Sequence, residues 1–341
     1  MTNGKSKTEW RVMGESVSGA SHRRAGVPNQ DAILQLRESG IGSPLILAVS
    51  DGHGGNKYFR SHKGSYFAVN TATQLVREFL NDRSGDLNPS EIESKAKEWL
   101  PQELVRRWRV AVEADLRHKP LSPEELDALG QKEGPRARGA VESNPKLAYG
   151  ATALAVAVEE SFILYLQLGD GDILTVSETG EVKRPLPNDQ RLFANETTSL
   201  CSDQASQDFR LGFQPLSEQR PALILLSTDG YANSFSDEAG FLKVGSDILE
   251  MLRVNGFDAV NESLTKWLDE ASEMGSGDDT TLGIICRMDA LKEFAQTEPA
   301  TPPHYDAQGA PMGGETQESA VSQSEPLAEK PQGASAGEEN L

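Results

Sequence analysis

Aspartates at glycine-flanked bends are the residues of this chain best placed to do chemistry. Asp51 ends the apolar run 45–49 and opens the string Asp-Gly-His-Gly-Gly. Asp229 ends the run 222–228 in the same way and is followed by Gly230. Asp170 and Asp172 share a Gly-Asp-Gly-Asp turn after the apolar stretch 162–168, and Asp278 and Asp279 stand just before the run 280–286. Each set alone is an ordinary turn signal, because Asp and Gly both favour bends. Four sets, all at strand ends, point instead to carboxylates gathered at one rim of a sheet. Clustered carboxylates repel one another unless cations neutralise them. An all-oxygen set without thiolates or several histidines favours Mg²⁺ or Mn²⁺ over structural Zn²⁺. Two such ions roughly 3.5–4 Å apart can hold a water as nucleophile and clamp a phosphoryl oxygen. His53, two residues after Asp51, could donate a proton to a leaving alkoxide, a role for which His62 lacks the context.

The elements that must position these residues follow from periodicity. Residues 10–20 alternate loosely, as an edge strand would, and 31–38 alternate more clearly. The run 44–51 is continuously apolar, which fits a strand covered on both faces. A helical pattern over 58–80 places Phe59, Tyr66, Phe67, Val69, Leu75, Val76 and Phe79 on a buried face. A long helix is expected over 90–117, starting at Pro89-Ser90-Glu91 and kinked or divided by Pro101. Its Trp99, Leu104, Trp108 and Val112 suit packing. The polar, turn-rich stretch 119–146 reads as an exposed insertion. Strands return from 149, with a hairpin turn at Glu159-Glu160-Ser161 and a tight turn at 169–172. A loop-rich segment 183–220, the strand 222–229, helices near 237–253 and 257–273, and a last strand after 279 complete the domain. Runs of strands separated by helix pairs indicate an α+β fold. If the last strand is antiparallel to 222–229, its start lies beside the end of its neighbour, so Asp278 meets Asp229.

Composition narrows the function. The net charge of the 341-residue chain is −19 and the hydrophobic share is 37%. From Thr297 onward there are 8 acidic residues against one lysine, so the tail supplies −7 of that charge. Segment 297–341 has too little apolar content to offset its ordering entropy and reads as a disordered acidic tail. The rest is still acidic, which argues against nucleic acid and anionic membrane surfaces as partners. Cys201 and Cys286 form no CxxC pattern, which suits a reducing compartment. With no signal-peptide pattern and no run of about 18 apolar residues, a cytoplasmic location is expected.

The strings VSDGHGG, YGATALAVAV with LGDGD, LLSTDGYAN and GSGDDTTLGII, in this order and spacing, resemble the motifs of metal-dependent PP2C-type protein Ser/Thr phosphatases. SHRRAGVPNQDA resembles the first motif of the bacterial members. The resemblance spans about residues 14–288, which sets a domain at 14–290 after an extension of residues 1–13. It leaves outside the tail and a helical insertion around 81–147. It implies an αββα sandwich of two mainly antiparallel sheets flanked by helices, with a dinuclear Mn²⁺ or Mg²⁺ site at one end. Carried over, Asp51 bridges both ions, the Gly52 carbonyl contributes, and Asp229 and Asp278 hold the second. Asp31 orients the attacking water, His53 is the general acid, and Asp170 matches a ligand of a third ion. The implied substrate is phosphoserine or phosphothreonine in a protein, with a cognate Ser/Thr kinase as a further partner, and segment 183–220 matches a variable flap.

Three positions depart from the pattern. Gln30 stands where the family has Glu, Gly26 where it has the phosphate-binding arginine, and Asn233 where it has a second Asp after Asp229. Arg23 or Arg24 is the available substitute for the arginine. These departures keep a second reading open, a pseudophosphatase that binds a phosphoprotein or a kinase without turnover. A hydrolase of small phosphate esters on another fold fits poorly, because 51–53 is Asp-Gly-His and not DxD.

Overall fold

A computed structural model describes residues 8–37, 44–82, 88–187, 197–217 and 220–294, with two short strand pieces at His304–Tyr305 and Pro311–Met312. Apart from those pieces, the tail expected to be disordered lies outside the described residues, as does 188–196 of the loop-rich segment.

Strand β1 (Trp10–Val17) is followed by a short helix α1 (Ala20–Ala25), then by β2 (Ala32–Arg37) and β3 (Leu45–Ser50). Helices α2 (Ser61–Asn81), α3 (Pro89–His118), α4 (Pro123–Glu133) and α5 (Pro135–Ser143) precede β4 (Ala153–Val158), β5 (Phe162–Leu168), β6 (Asp172–Val176) and β7 (Val182–Lys183). The short α6 (Ala205–Asp208), β8 (Arg210–Pro215), β9 (Leu223–Ser227), α7 (Asp229–Ala232), α8 (Glu238–Asn255), α9 (Phe257–Met274) and β10 (Thr280–Arg287) follow. The strands make two five-stranded sheets, in the orders β1-β10-β9-β6-β7 and β2-β3-β4-β5-β8, with every pair antiparallel. This is the αββα sandwich that the motifs implied.

Strand β3 shows why its sequence is apolar throughout. Leu45, Leu47 and Val49 pack between the sheets with Leu154, Val156, Ile224 and Ile285. Ile46 and Ala48 face the layer of α2 and α3, with Val69, Leu75 and Trp108. The outer face of the other sheet is covered by α8 and α9 through Ile248, Leu252, Leu264 and Leu268. Both sheets are therefore buried on both sides, and the strand order brings the ends of β3, β5 and β9 to one edge.

The helical layer refines the expectation at three places. Helix α3 runs unbroken for 30 residues through Pro101, from an Asn88 cap whose side chain accepts from the Glu91 amide while Glu91 bonds back. Burial of Leu100, Leu104, Trp108 and Val112 along one face outweighs the hydrogen bond that Pro101 cannot donate. Tyr66 is 59% exposed and off the buried face of α2. The stretch read as an exposed insertion is folded: Ser122 and Glu125 form a capping box, Pro123 starts α4, and Leu129, Val141 and Tyr149 join the core. Few buried side chains per helix hide such elements from periodicity. Among the described residues, no helix is long and apolar enough to cross a membrane.

Candidate active site

Three loops leave the strands at the shared edge, and each delivers a carboxylate. Asp51 follows β3; its amide donates to Thr152 Oγ1 (2.9 Å), and its carbonyl accepts from the Thr152 amide (2.8 Å). Asp170 lies in the turn that carries the chain from β5 in one sheet to β6 in the other, so the turn is a crossover and not a hairpin. Gly169 adopts φ +104°, and a Cβ there would stand 2.5 Å from the Thr152 side chain, which reserves this bend for glycine. Asp229 opens α7 directly after β9, and at Gly230 a Cβ would fall 2.1 Å from the Asp279 carbonyl oxygen. The carboxylates of Asp51, Asp170 and Asp229 each offer an oxygen within 4.8 Å of the others.

Asp278 and Asp279 enter from the start of β10, whose register sets Leu282 opposite Ser227 of β9. Both line the same cavity of about 490 Å³ with Asp51, Gly52, His53, Asp170 and Asp229. The Asp278 carboxylate lies outside the three-carboxylate group, 3.5 Å from His22 Nε2, with Asp279 on the other ring nitrogen at 2.9 Å. Asp279 is a structural clasp, accepting the amides of Gly19 and Gln30 at 2.6 Å each. Asp31 does not line the cavity but lies near enough for its charge to act on Asp51, and its Oδ2 accepts from the Thr228 and Thr281 hydroxyls at 2.7 Å.

The electrostatics of the cavity suit a cation. Burial, followed by the charges of Asp31, Asp229 and Asp170, pushes the Asp51 carboxyl well above its usual range. Asp229 is raised to about 6 by burial and then by Asp170 and Asp278. Asp31 is raised to about 8, burial outweighing the two threonine hydrogen bonds that favour its charged form. Asp170 Oδ1 is buried with no hydrogen-bond partner. Convergent oxygens, an orphaned carboxylate atom and carboxyls that cannot readily ionise together fit a hard divalent ion.

His53 is 8% exposed; its amide donates to the Gly150 carbonyl (3.1 Å) and its ring meets Tyr58 edge-on at 4.8 Å. Burial first, and the Lys57 charge second, lower its pKa to about 4. Gly52 is wedged so closely that a Cβ would stand 2.6 Å from the Gln30 carbonyl. The Gln30 amide donates to Ser61 Oγ at 2.6 Å, and Asn233 donates to Asp229 Oδ2 at 3.2 Å.

Neither Arg23 nor Arg24 lines the cavity. The Arg23 guanidinium pairs with Asp269 (3.0 Å) and Glu273 (3.1 Å) on α9, and Arg24 is exposed. Two residues were missed by sequence reading. Lys57 lines the cavity; its place three residues after Gly54, in the same loop as His53, was the available signal. Arg60, 2% exposed, anchors that loop, and no sequence pattern marked it.

A family model described as protein phosphatase 2C matches residues 18–269. No curated protein sequence matches the chain. Among solved structures, a C. elegans sex determining protein is similar at 17% identity and TM-score 0.50, over 85% of this chain and 68% of that one. The catalytic domain of the serine threonine protein phosphatase PstP, in complex with 2 manganese ions, is 18% identical at TM-score 0.47, over 81% and 97% of the two chains. PppA, a regulatory component of T6SS in Pseudomonas aeruginosa, is 16% identical at TM-score 0.49, over 82% and 98%. At such identities a likeness is one of fold alone.

Proposed function

Because the chain belongs to the protein phosphatase 2C family, we propose that it hydrolyses phosphoserine and phosphothreonine in proteins, in the cytoplasm, with Mn²⁺ or Mg²⁺ as cofactor. The observation that carries this reading is the convergence of Asp51, Asp170 and Asp229 from three separate strand ends, beside His53, in one cavity. Asp51, the Gly52 carbonyl, Asp229 and Asp278 would hold two ions, with Asp170 available to a third. Bound there, the ions would neutralise the carboxylates, polarise the phosphoryl group and lower the pKa of water.

The chain's own groups supply the rest. Asp31, held by Thr228 and Thr281, would when ionised accept a hydrogen bond from the attacking water and take the proton that the water loses. As the water oxygen bonds to phosphorus and the P–O ester bond breaks, the serine or threonine oxygen must gain a proton. Protonated His53, in the same cavity, would supply it. Burial and the Lys57 charge hold the His53 pKa down, and the opposite charge of a phosphate dianion raises it. The substrate is a phosphoprotein, which makes a Ser/Thr kinase its natural counterpart.

The test is phosphate release from a phosphothreonine peptide, in Mn²⁺ and in EDTA, by the wild type and Asp51→Asn. Metal-dependent turnover that vanishes in the variant is the expected result. A folded, metal-loaded wild type without turnover would favour the second reading, a phosphoprotein-binding module. Gln30 in place of an acid, its amide spent on Ser61, is the observation on that side.

A further inference from the structure

The cavity holds five aspartates, and among the described residues one cationic side chain, Lys57, lines it. A phosphate monoester is an anion, and the cations expected from sequence are spent or remote, since Arg23 pairs with α9 and position 26 is glycine. Lys57 by contrast has no ion pair among the described residues. Lys57 is exposed at the cavity; its ammonium lies 4.8 Å from the centroid of the Tyr58 ring, interacts with Tyr58 and more weakly with Glu133, and its charge reaches His53.

The turn that carries Lys57 is built to hold it there. After Gly54 and Gly55 the chain makes one 3₁₀ turn over Asn56–Tyr58, closed by the Tyr58 amide on the Gly55 carbonyl (2.8 Å). Tyr58 is wedged between His53 and Gly150, where an added Cβ would stand 2.6 Å from its ring. Arg60 then fixes the exit. Its Nε and Nη2 grip the Glu125 carboxylate at 2.9 and 2.7 Å; the other donors reach the carbonyls of Lys119 and Pro120 and the Tyr149 hydroxyl. All five guanidinium donors are satisfied, so the Lys57 turn is pinned to α4 and to the Tyr149 segment.

We propose that Lys57 binds the phosphate group of the substrate, taking the place of the arginine that this chain lacks at position 26. The assignment rests on the phosphatase reading for the identity of its ligand. A lysine on a short pinned turn gives a point charge, with no need of the planar fork that a guanidinium brings.

Inorganic phosphate tests this independently of turnover. It is titrated by calorimetry in Mg²⁺ into the wild type, Lys57→Met and Lys57→Arg, with thermal melts to show that all three are folded. Loss of one charge-assisted contact should weaken phosphate binding roughly tenfold in Lys57→Met, while Lys57→Arg stays within about threefold of wild type. On the phosphothreonine peptide, kcat/KM of Lys57→Met should fall by a similar factor. Equal phosphate affinity in wild type and Lys57→Met would overturn the assignment whether or not peptide is hydrolysed, and so would a wild type that binds no phosphate. Wild type that binds phosphate through Lys57 yet releases none from the peptide would refute hydrolysis and leave Lys57 assigned.

Discussion

Replacing Asp229 by asparagine should stabilise the metal-free protein, although it removes a residue from the centre of the site. The Asp229 carboxyl is raised from 3.8 to about 6, first by burial and then by Asp170 and Asp278. A carboxyl raised in this way binds more protons in the folded state than in the unfolded one. Stability is therefore lost as pH rises from about 4 to about 6, and the loss is complete above that. The rise from 3.8 to about 6, at about 1.36 kcal/mol for each tenfold change in proton affinity, amounts to about 3 kcal/mol of destabilisation near pH 8. Asparagine keeps the size of the side chain and its place at the start of α7, and removes the charge. Urea unfolding in EDTA near pH 8 should therefore find Asp229→Asn more stable than wild type by about 3 kcal/mol, with the gap closing towards pH 4. Mg²⁺ or Mn²⁺ should reverse the order, raising the melting temperature of wild type and leaving the variant almost unmoved. The reasoning fails if Asp229→Asn is the less stable protein in EDTA near pH 8. It fails equally if metal stabilises both proteins alike.

Arg60→Met strands the Glu125 carboxylate and three further acceptors, and should cost about 3 kcal/mol in urea unfolding; a loss under about 1 kcal/mol would show that the insert is held by packing alone. Thr281→Val deletes one of the two hydroxyl hydrogen bonds that favour ionised Asp31. The Asp31 pKa then rises further, and the acid limb of the pH–rate profile should move to higher pH. His53→Gln should lower kcat on a phosphothreonine peptide by about 100-fold, the typical worth of one positioned acid. Its effect on p-nitrophenyl phosphate should be much smaller, because that leaving group departs without a proton, and equal losses on the two substrates would deny His53 the acid role.

Much of this architecture can be read along the chain. Continuous apolar runs identify β3, β9 and β10, since strands in two covered sheets have no solvent face to mark with polar residues. Asp51 and Asp229 are legible for the same reason, each being the residue at which an apolar run must turn. The antiparallel pairing of β9 with β10 then places Asp278 near Asp229 by register. What the chain alone could not reveal depends on partners distant in sequence. Helix α3 passes through Pro101 with Leu100 and Trp108 buried, and 119–146 is joined to the domain by Leu129 and Val141 in the core and by the Glu125–Arg60 pair, 65 residues apart. Arg23 and Lys57 look alike in sequence, each a cation near a motif. Tertiary packing gave Arg23 to Asp269 and Glu273, nearly 250 positions away, and left Lys57 beside Tyr58 at the cavity with no ion pair among the described residues. Local sequence fixes where a carboxylate must leave a strand, because the apolar run and the glycine are its neighbours. Which charges remain available to a ligand is decided by the fold, because it depends on every countercharge brought within a few ångströms.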